Sequence, residues 1–146
     1  MRFTISQNSI FSNRFGGISF GGLGQVNDVG DADIGPNGLQ NFPELQSAGF
    51  NTNTTISGIL RSKPNTTYTI EFFGNSVPHS SGFGEGEVYL GSTNATTEPN
   101  GTATFEAVLP GVLERCRLLS ETAGGVTHED QFALAVNPEF LREGSA

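Results

Sequence analysis

Between residues 44 and 138, several stretches alternate polar and apolar positions with a period of two. Tyr68, Ile70 and Phe72 share one parity, and Thr67, Thr69 and Glu71 share the other. Ala103, Phe105, Ala107 and Leu109 alternate with Thr102, Thr104, Glu106 and Val108. Phe132, Leu134 and Val136 alternate too, as do Val88 and Leu90. Ile56, Gly58 and Leu60 make a fifth strand, weaker because Gly58 offers no side chain. Successive side chains of a strand point to opposite faces, so each stretch predicts a strand buried on one side. Leu45 to Phe50 is expected to open the sheet, and Arg117 to Thr122 to supply the sixth strand of the later part. Pro64-Asn65, Pro99-Asn100-Gly101 and Gly124-Gly125 mark turns at the needed spacing. About seven short, one-sided strands predict an all-β, two-sheet antiparallel sandwich over residues 44–138. No window has sustained helical apolar spacing. The best candidate, Pro110 to Leu119, starts with Pro-Gly, which suits a turn at least as well. Residues 139–146 lack a strand pattern and are expected to form a frayed tail.

Residues 1–43 read differently. Ile5-Ser-Gln-Asn8, Ile10-Phe-Ser-Asn13 and Gly17-Ile-Ser-Phe20 are short aliphatic pieces punctuated by Asn and Gly. This is the pattern of rungs in a right-handed parallel β-helix, in which each strand points an aliphatic residue into a narrow core and Asn or Gly turns the corner. Short Ile/Asn runs of this kind also occur in hairpins. One or two coils cannot bury their faces alone and need a neighbour. Gly30-Asp-Ala-Asp-Ile-Gly-Pro-Asn-Gly-Leu-Gln-Asn-Phe-Pro43 is too rich in Gly, Pro, Asn and Asp for helix or central strand, so it predicts an ordered junction.

With these stretches in view, the chain resembles the closing segment of bacterial right-handed β-helix surface proteins. Asn8-Ser-Ile-Phe-Ser-Asn13, Gly30-Asp-Ala-Asp33, Gly35-Pro-Asn37 and Leu39-Gln-Asn-Phe-Pro43 carry that resemblance. In that family an immunoglobulin-like sandwich follows. Thr66-Thr-Tyr-Thr-Ile-Glu-Phe-Phe-Gly-Asn75, Gly82-Phe-Gly-Glu-Gly86 and Leu90-Gly-Ser-Thr93 are similar to it, and Gly124-Gly-Val-Thr127 with Gln131-Phe132 resembles its last hairpin. Glu114-Arg-Cys-Arg117 departs from the polar-alternating sixth strand. The resemblance implies a secreted or surface-attached bacterial protein, and an antiparallel immunoglobulin/fibronectin-III-like sandwich preceded by the last one or two rungs of a parallel β-helix. Trp is absent and there is a single Cys, so an antibody-type domain is excluded and a fibronectin-III-like sandwich is closer. The expected division is residues 1–43 as terminal rungs and junction, 44–138 as sandwich, and 139–146 as tail. The chain begins in what reads as mid-repeat, so it is expected to be part of a longer protein.

The formal net charge is −8, with Lys63 the sole lysine, which argues against nucleic acid and acidic membrane faces as partners. Acidity of this kind also keeps a β-rich surface soluble. No signal peptide or membrane span is visible in the sequence. Cys116 has no internal partner. It sits between Arg115 and Arg117, which would lower a thiol pKa, though a small inward-facing apolar residue fits the pattern better. Cysteine usage therefore gives no sign of an oxidising compartment.

Two stretches carry candidate chemistry. Asp28, Asp31, Asp33 and Asn37 put oxygen ligands at close spacing in a Gly-rich loop, as a calcium site needs. Gly35 and Pro36 stand where an EF-hand needs an oxygen ligand and a glycine, so only an irregular calcium loop is left. The alternative is that these residues cap turns through the backbone. Asn75 to Gly86 is the longest irregular stretch of the sandwich. His79, Phe83 and Glu85 are its candidate ligand-binding residues, for carbohydrate or a surface protein. Against this, Phe83 also fits as a plug that holds the loop down. Neither His79 nor His128 has a nearby acid-and-nucleophile pattern, and no phosphate cradle follows Gly82-x-Gly84-x-Gly86. Lys63, in a turn before Pro64, is badly placed for a Lys–Asn isopeptide clamp. The expected function is a non-catalytic structural or adhesion module that covers the end of an upstream solenoid. The alternative is a carbohydrate- or protein-binding module, calcium-dependent or not, accessory to a polysaccharide-acting enzyme. Self-association through residues 1–20 is expected, because unpaired edges and Ile5, Ile10 and Ile18 would otherwise stay uncovered.

Overall fold

A computed structural model describes residues 5–14, 17–18, 26–50, 52–76, 85–111, 133–136 and 142–143. Among the described residues seven strands follow one another: β1 (Glu44–Phe50), β2 (Asn53–Arg61), β3 (Thr67–Asn75), β4 (Val88–Thr96), β5 (Thr102–Pro110), β6 (Ala133–Val136) and β7 (Arg142–Glu143). They form two antiparallel sheets, one ordered β1-β2-β5 and the other β4-β3-β6, with β7 also paired to β3. The chain passes between sheets after β2, after β4 and after β5, the connectivity that lets two one-sided sheets bury their apolar faces against each other.

The alternating residues named above supply the interior. Ile56 and Leu60 of β2, Tyr68, Ile70 and Phe72 of β3, and Ala103, Phe105, Ala107 and Leu109 of β5 lie in one buried cluster with Leu90 and Ala95 of β4. The Phe72 and Phe105 rings meet across the sheets at 6.1 Å, tilted by 52°. Burying side chains of this size stabilises by roughly 1.5–3 kcal/mol each, which makes this layer the main support of the fold.

Gly58 leaves no room for a side chain in β2. A Cβ there would lie 2.4 Å from Phe105 Cζ and 2.6 Å from the Glu44 carbonyl oxygen. The missing side chain is the space into which Phe105, its partner across the β2–β5 ladder, lays its ring.

Strict alternation fails on β4. Leu90 and Ala95 both face the core, although their numbers differ in parity. The ladder explains this: Phe72 faces Gly91 but Phe73 faces Tyr89, so Leu90 is an extra residue. Such a bulge reverses which parity points inward beyond it.

β3 is buried on both faces along its second half. Glu71 and Asn75 are 4 % exposed and Phe73 is fully buried, where one-sided patterning predicts Glu71 in solvent. Phe73 packs edge-on against Tyr89 at 5.7 Å, and residues 5–14 approach the same side. The expected tail also changes character, because Arg142 and Glu143 pair with Thr69 and Tyr68. The candidate sixth strand at Arg117–Thr122, Phe132 and Cys116 lie outside the described residues.

The β2–β3 and β4–β5 connections are tied together. Thr97, 2 % exposed, donates its hydroxyl to the Lys63 carbonyl at 2.5 Å and accepts the Thr66 amide at 3.0 Å. Gly101 turns at φ +77°, with its Cβ position 2.4 Å from the Ser62 carbonyl oxygen. Only glycine satisfies both the left-handed backbone and that close approach.

Candidate functional site

The junction of residues 26–43 is fastened to the sandwich by a buried polar network. Asn41, 1 % exposed, is its hub. Its side-chain amide donates to the Asp28 carbonyl at 2.8 Å and to the Arg61 carbonyl at 2.9 Å. Its Oδ1 accepts the Asp28 amide at 2.9 Å. Asn27 makes a second such clasp, donating to the Phe42 carbonyl at 2.9 Å and accepting the Phe42 amide at 2.8 Å. In each case an asparagine side chain imitates a peptide group and closes a backbone pair that no strand supplies.

Asp31 lies beneath this hub, 1 % exposed, with its backbone at φ +53°. Its carboxylate accepts the Asn41 amide at 2.8 Å and the Ser62 hydroxyl at 2.7 Å. Ser62 Oγ is also 2.7 Å from Tyr68 Oη and accepts Gln40 Nε2–H at 2.8 Å. A carboxylate only accepts, so the single Ser62 proton goes to Asp31 and the Tyr68 phenol turns to donate to Ser62. A buried carboxylate with these partners couples the junction to a core tyrosine.

The four candidate calcium ligands therefore do different work. Asp31 is engaged as above. Asp28 accepts the Ala32 amide at 2.9 Å, a turn of the kind weighed against metal binding. Asn37 is exposed, at φ +54°, within the short 3-10 turn Pro36–Leu39. Asp33 is half-buried. No group of three or more His, Cys, Asp or Glu side chains is placed to share a metal among the described residues.

A second cluster holds residues 5–14. Ile10 and Gly86 exchange both backbone hydrogen bonds in an antiparallel bridge, at 2.7 and 2.9 Å. Ser9 donates its hydroxyl to the Glu87 carbonyl at 2.6 Å, and Gln7 Nε2 donates to Tyr89 Oη at 3.4 Å. Two buried acids supplement the bridge. Glu71 accepts the Gln7 amide at 3.1 Å and the Ser6 hydroxyl. Glu85, 7 % exposed, accepts the Asn13 amide at 3.1 Å. Gln7 and Ser12 stand at positive φ, so the segment bends repeatedly instead of running as a strand. The bridge at Ile10 is antiparallel, and no parallel rung is seen among the described residues.

Of the candidate ligand-binding residues, Glu85 is turned into the protein as an amide acceptor, while His79 and Phe83 lie outside the described residues. Sequence reasoning found the junction and its acids. It missed Glu71, because an acid between Ile70 and Phe72 reads as the solvent face of a strand. Glu87 accepts both the amide and the hydroxyl of Ser76 at 2.8 Å. The chain matches no protein-family model, and a search of curated proteins returned no match.

Proposed function

We propose that this chain is a non-catalytic structural module of a secreted or cell-surface protein, in which the sandwich clamps and shields the segment that precedes it. The observation that carries the reading is the use made of the buried acids. Glu71 and Glu85 accept the backbone amides of Gln7 and Asn13, and Asp31 accepts that of Asn41. An irregular segment presents amides with no ladder to join, and burying them without acceptors costs about 1–3 kcal/mol each. Carboxylates fixed on the sandwich and in the junction meet that need and hold residues 5–14 and 26–43 in one place. The oxygens of Glu71, Glu85 and Asp31 are taken up by amides and serine hydroxyls of the chain itself.

The resemblance to β-helix surface proteins extends the proposal. The clamped segment would be the last one or two coils of a parallel β-helix, and the immunoglobulin/fibronectin-III-like sandwich would cover its open end, where unpaired strand edges invite aggregation. Amide hydrogen exchange tests the clamp. The amides of Gln7, Ile10 and Asn13 are expected to exchange at least tenfold more slowly than in an unstructured peptide, and those of Asn41 and Phe42 nearly as slowly as the core. Exchange of all five at unstructured rates would end the reading. Glycan binding abolished by Glu85→Gln would replace it with a binding module.

A further inference from the structure

The tripeptide Pro-Asn-Gly occurs twice in the chain, at Pro36-Asn37-Gly38 and at Pro99-Asn100-Gly101. Both asparagines are exposed, and both tripeptides sit in turns. An asparagine followed by glycine carries an intrinsic reaction. The glycine amide nitrogen gives its proton to solvent base and attacks the asparagine side-chain carbonyl carbon. A five-membered imide closes, and ammonia leaves. Water then opens the ring at either carbonyl, which yields aspartate or isoaspartate. Glycine has no Cβ to obstruct the approach. Closure also requires the asparagine ψ and side chain to rotate freely. With the same residues at both places, the fold decides which one reacts.

Asn100 is held fast. Its Oδ1 accepts the Thr102 amide at 2.8 Å. Gly101 donates its amide to the Glu98 carbonyl at 2.8 Å, and its carbonyl accepts the Ser62 amide at 2.8 Å. The Glu98 amide in turn donates to the Thr102 carbonyl at 2.9 Å. Asn37 is held by less. Gly38 donates to the Gly35 carbonyl at 3.0 Å, and Gln40 to the Asn37 carbonyl at 3.3 Å. The Asn37 side chain has no hydrogen-bond partner among the described residues. Asn37, Gly38 and Leu39 stand in a row at φ +54°, +64° and +50°, and a left-handed run of this kind is costly for residues with a Cβ, which favours opening of the turn. Lys63 Nζ lies 3.3 Å from the position a Gly38 Cβ would take. A positive charge there favours the deprotonated form of the attacking nitrogen.

We propose that Asn37 is a site of spontaneous deamidation and isoaspartate formation, with water as the co-reactant, and that the fold protects Asn100. The consequence falls on the junction. Isoaspartate carries the main chain through the former side chain, which lengthens it by one methylene. The carbonyl that accepts the Gln40 amide becomes part of a branching carboxylate. Gln40 and Asn41 follow closely, and they bind the Ser62 hydroxyl and the Arg61 carbonyl. The modified chain therefore loosens its junction from the end of β2. Deamidation at Asn37 needs none of the acid–amide contacts behind the proposed function, so either can fail alone.

The test holds the full chain at mildly basic pH, samples it over weeks, and cuts it with pepsin at acid pH, which halts the reaction. Mass spectrometry with fragmentation then locates each conversion of amide to acid. The extra hydrogen bonds around Asn100 slow closure by on the order of tenfold, so Asn37 is expected to convert faster by about that factor or more. Equal rates, a faster Asn100 or no conversion at Asn37 overturns the proposal. A parallel incubation in concentrated urea removes the fold, and there the two sites are expected to convert at similar rates. A difference that persists undiminished in urea belongs to the sequence neighbours and overturns protection by the fold. In the aged native chain, hydrogen exchange at the Gln40 and Asn41 amides is expected to quicken at least tenfold over fresh protein. Asn37→Gly keeps a residue suited to positive φ and cannot deamidate there, so this variant, aged alongside, is expected to retain slow exchange. Unchanged exchange in the aged parent, or equal quickening in the variant, overturns the loosening of the junction.

Discussion

Replacing Asn41 with alanine tests whether the junction belongs to the same cooperative unit as the sandwich. The side chain makes three hydrogen bonds, to the Asp28 amide, the Asp28 carbonyl and the Arg61 carbonyl. It is 1 % exposed, so water does not readily take its place. A typical buried hydrogen bond contributes ~0.5–1.5 kcal/mol net, so losing three costs about 3 kcal/mol. In a domain whose total stability is of order 5–15 kcal/mol, that is a large fraction. Near 150 residues the melting temperature should fall by about 10 °C. Urea unfolding followed by tyrosine fluorescence is the assay, with the slope checked against the parent. An unchanged slope with a lower midpoint is expected, since one bond reaches Arg61 at the end of β2. The opposite result is informative. If hydrogen exchange speeds up at Asp28 and Phe42 while the urea midpoint stays put, the junction is an appendage. The network through Asp31, Ser62 and Tyr68 would then not couple it to the core.

Other substitutions follow from the packing. Gly58→Ala should destabilise by ~1–3 kcal/mol, as overpacking does, because Phe105 and the Glu44 carbonyl fill the space; adding Phe105→Leu should recover part of the loss in denaturant melts, and no recovery would mean that β1 is the obstacle. Arg61→Ala should change the urea midpoint by less than the equivalent of about 0.5 kcal/mol, because both partners of the Arg61–Glu44 pair are about half exposed; a larger loss would assign the pair a role beyond a surface contact.

What could be read in the chain tracks how local the cause is. The five clear strands follow from alternation, which needs only nearest neighbours. The buried faces of β2, β3 and β5 were therefore predictable from Ile56 to Leu60, Tyr68 to Phe72 and Ala103 to Leu109. Pro64-Asn65 and Pro99-Asn100-Gly101 turn where their residue types require. The junction was legible as ordered because Gly, Pro, Asn and Asp are poor in any regular element.

The rest was decided by residues far apart in sequence. Gly58 is a gap in a strand until Phe105, 47 positions later, fills it. Leu90 joins the core only through a bulge set by the β3 ladder. Glu71 reads as solvated until residues 6 and 7 arrive to cover it, and Asp31 reads as a cation ligand until Asn41 and Ser62 take its oxygens. Alternation tells which side of a strand is apolar, but not what approaches the other side. A carboxylate's role is fixed by the donors that reach it, and those were placed by tertiary structure alone.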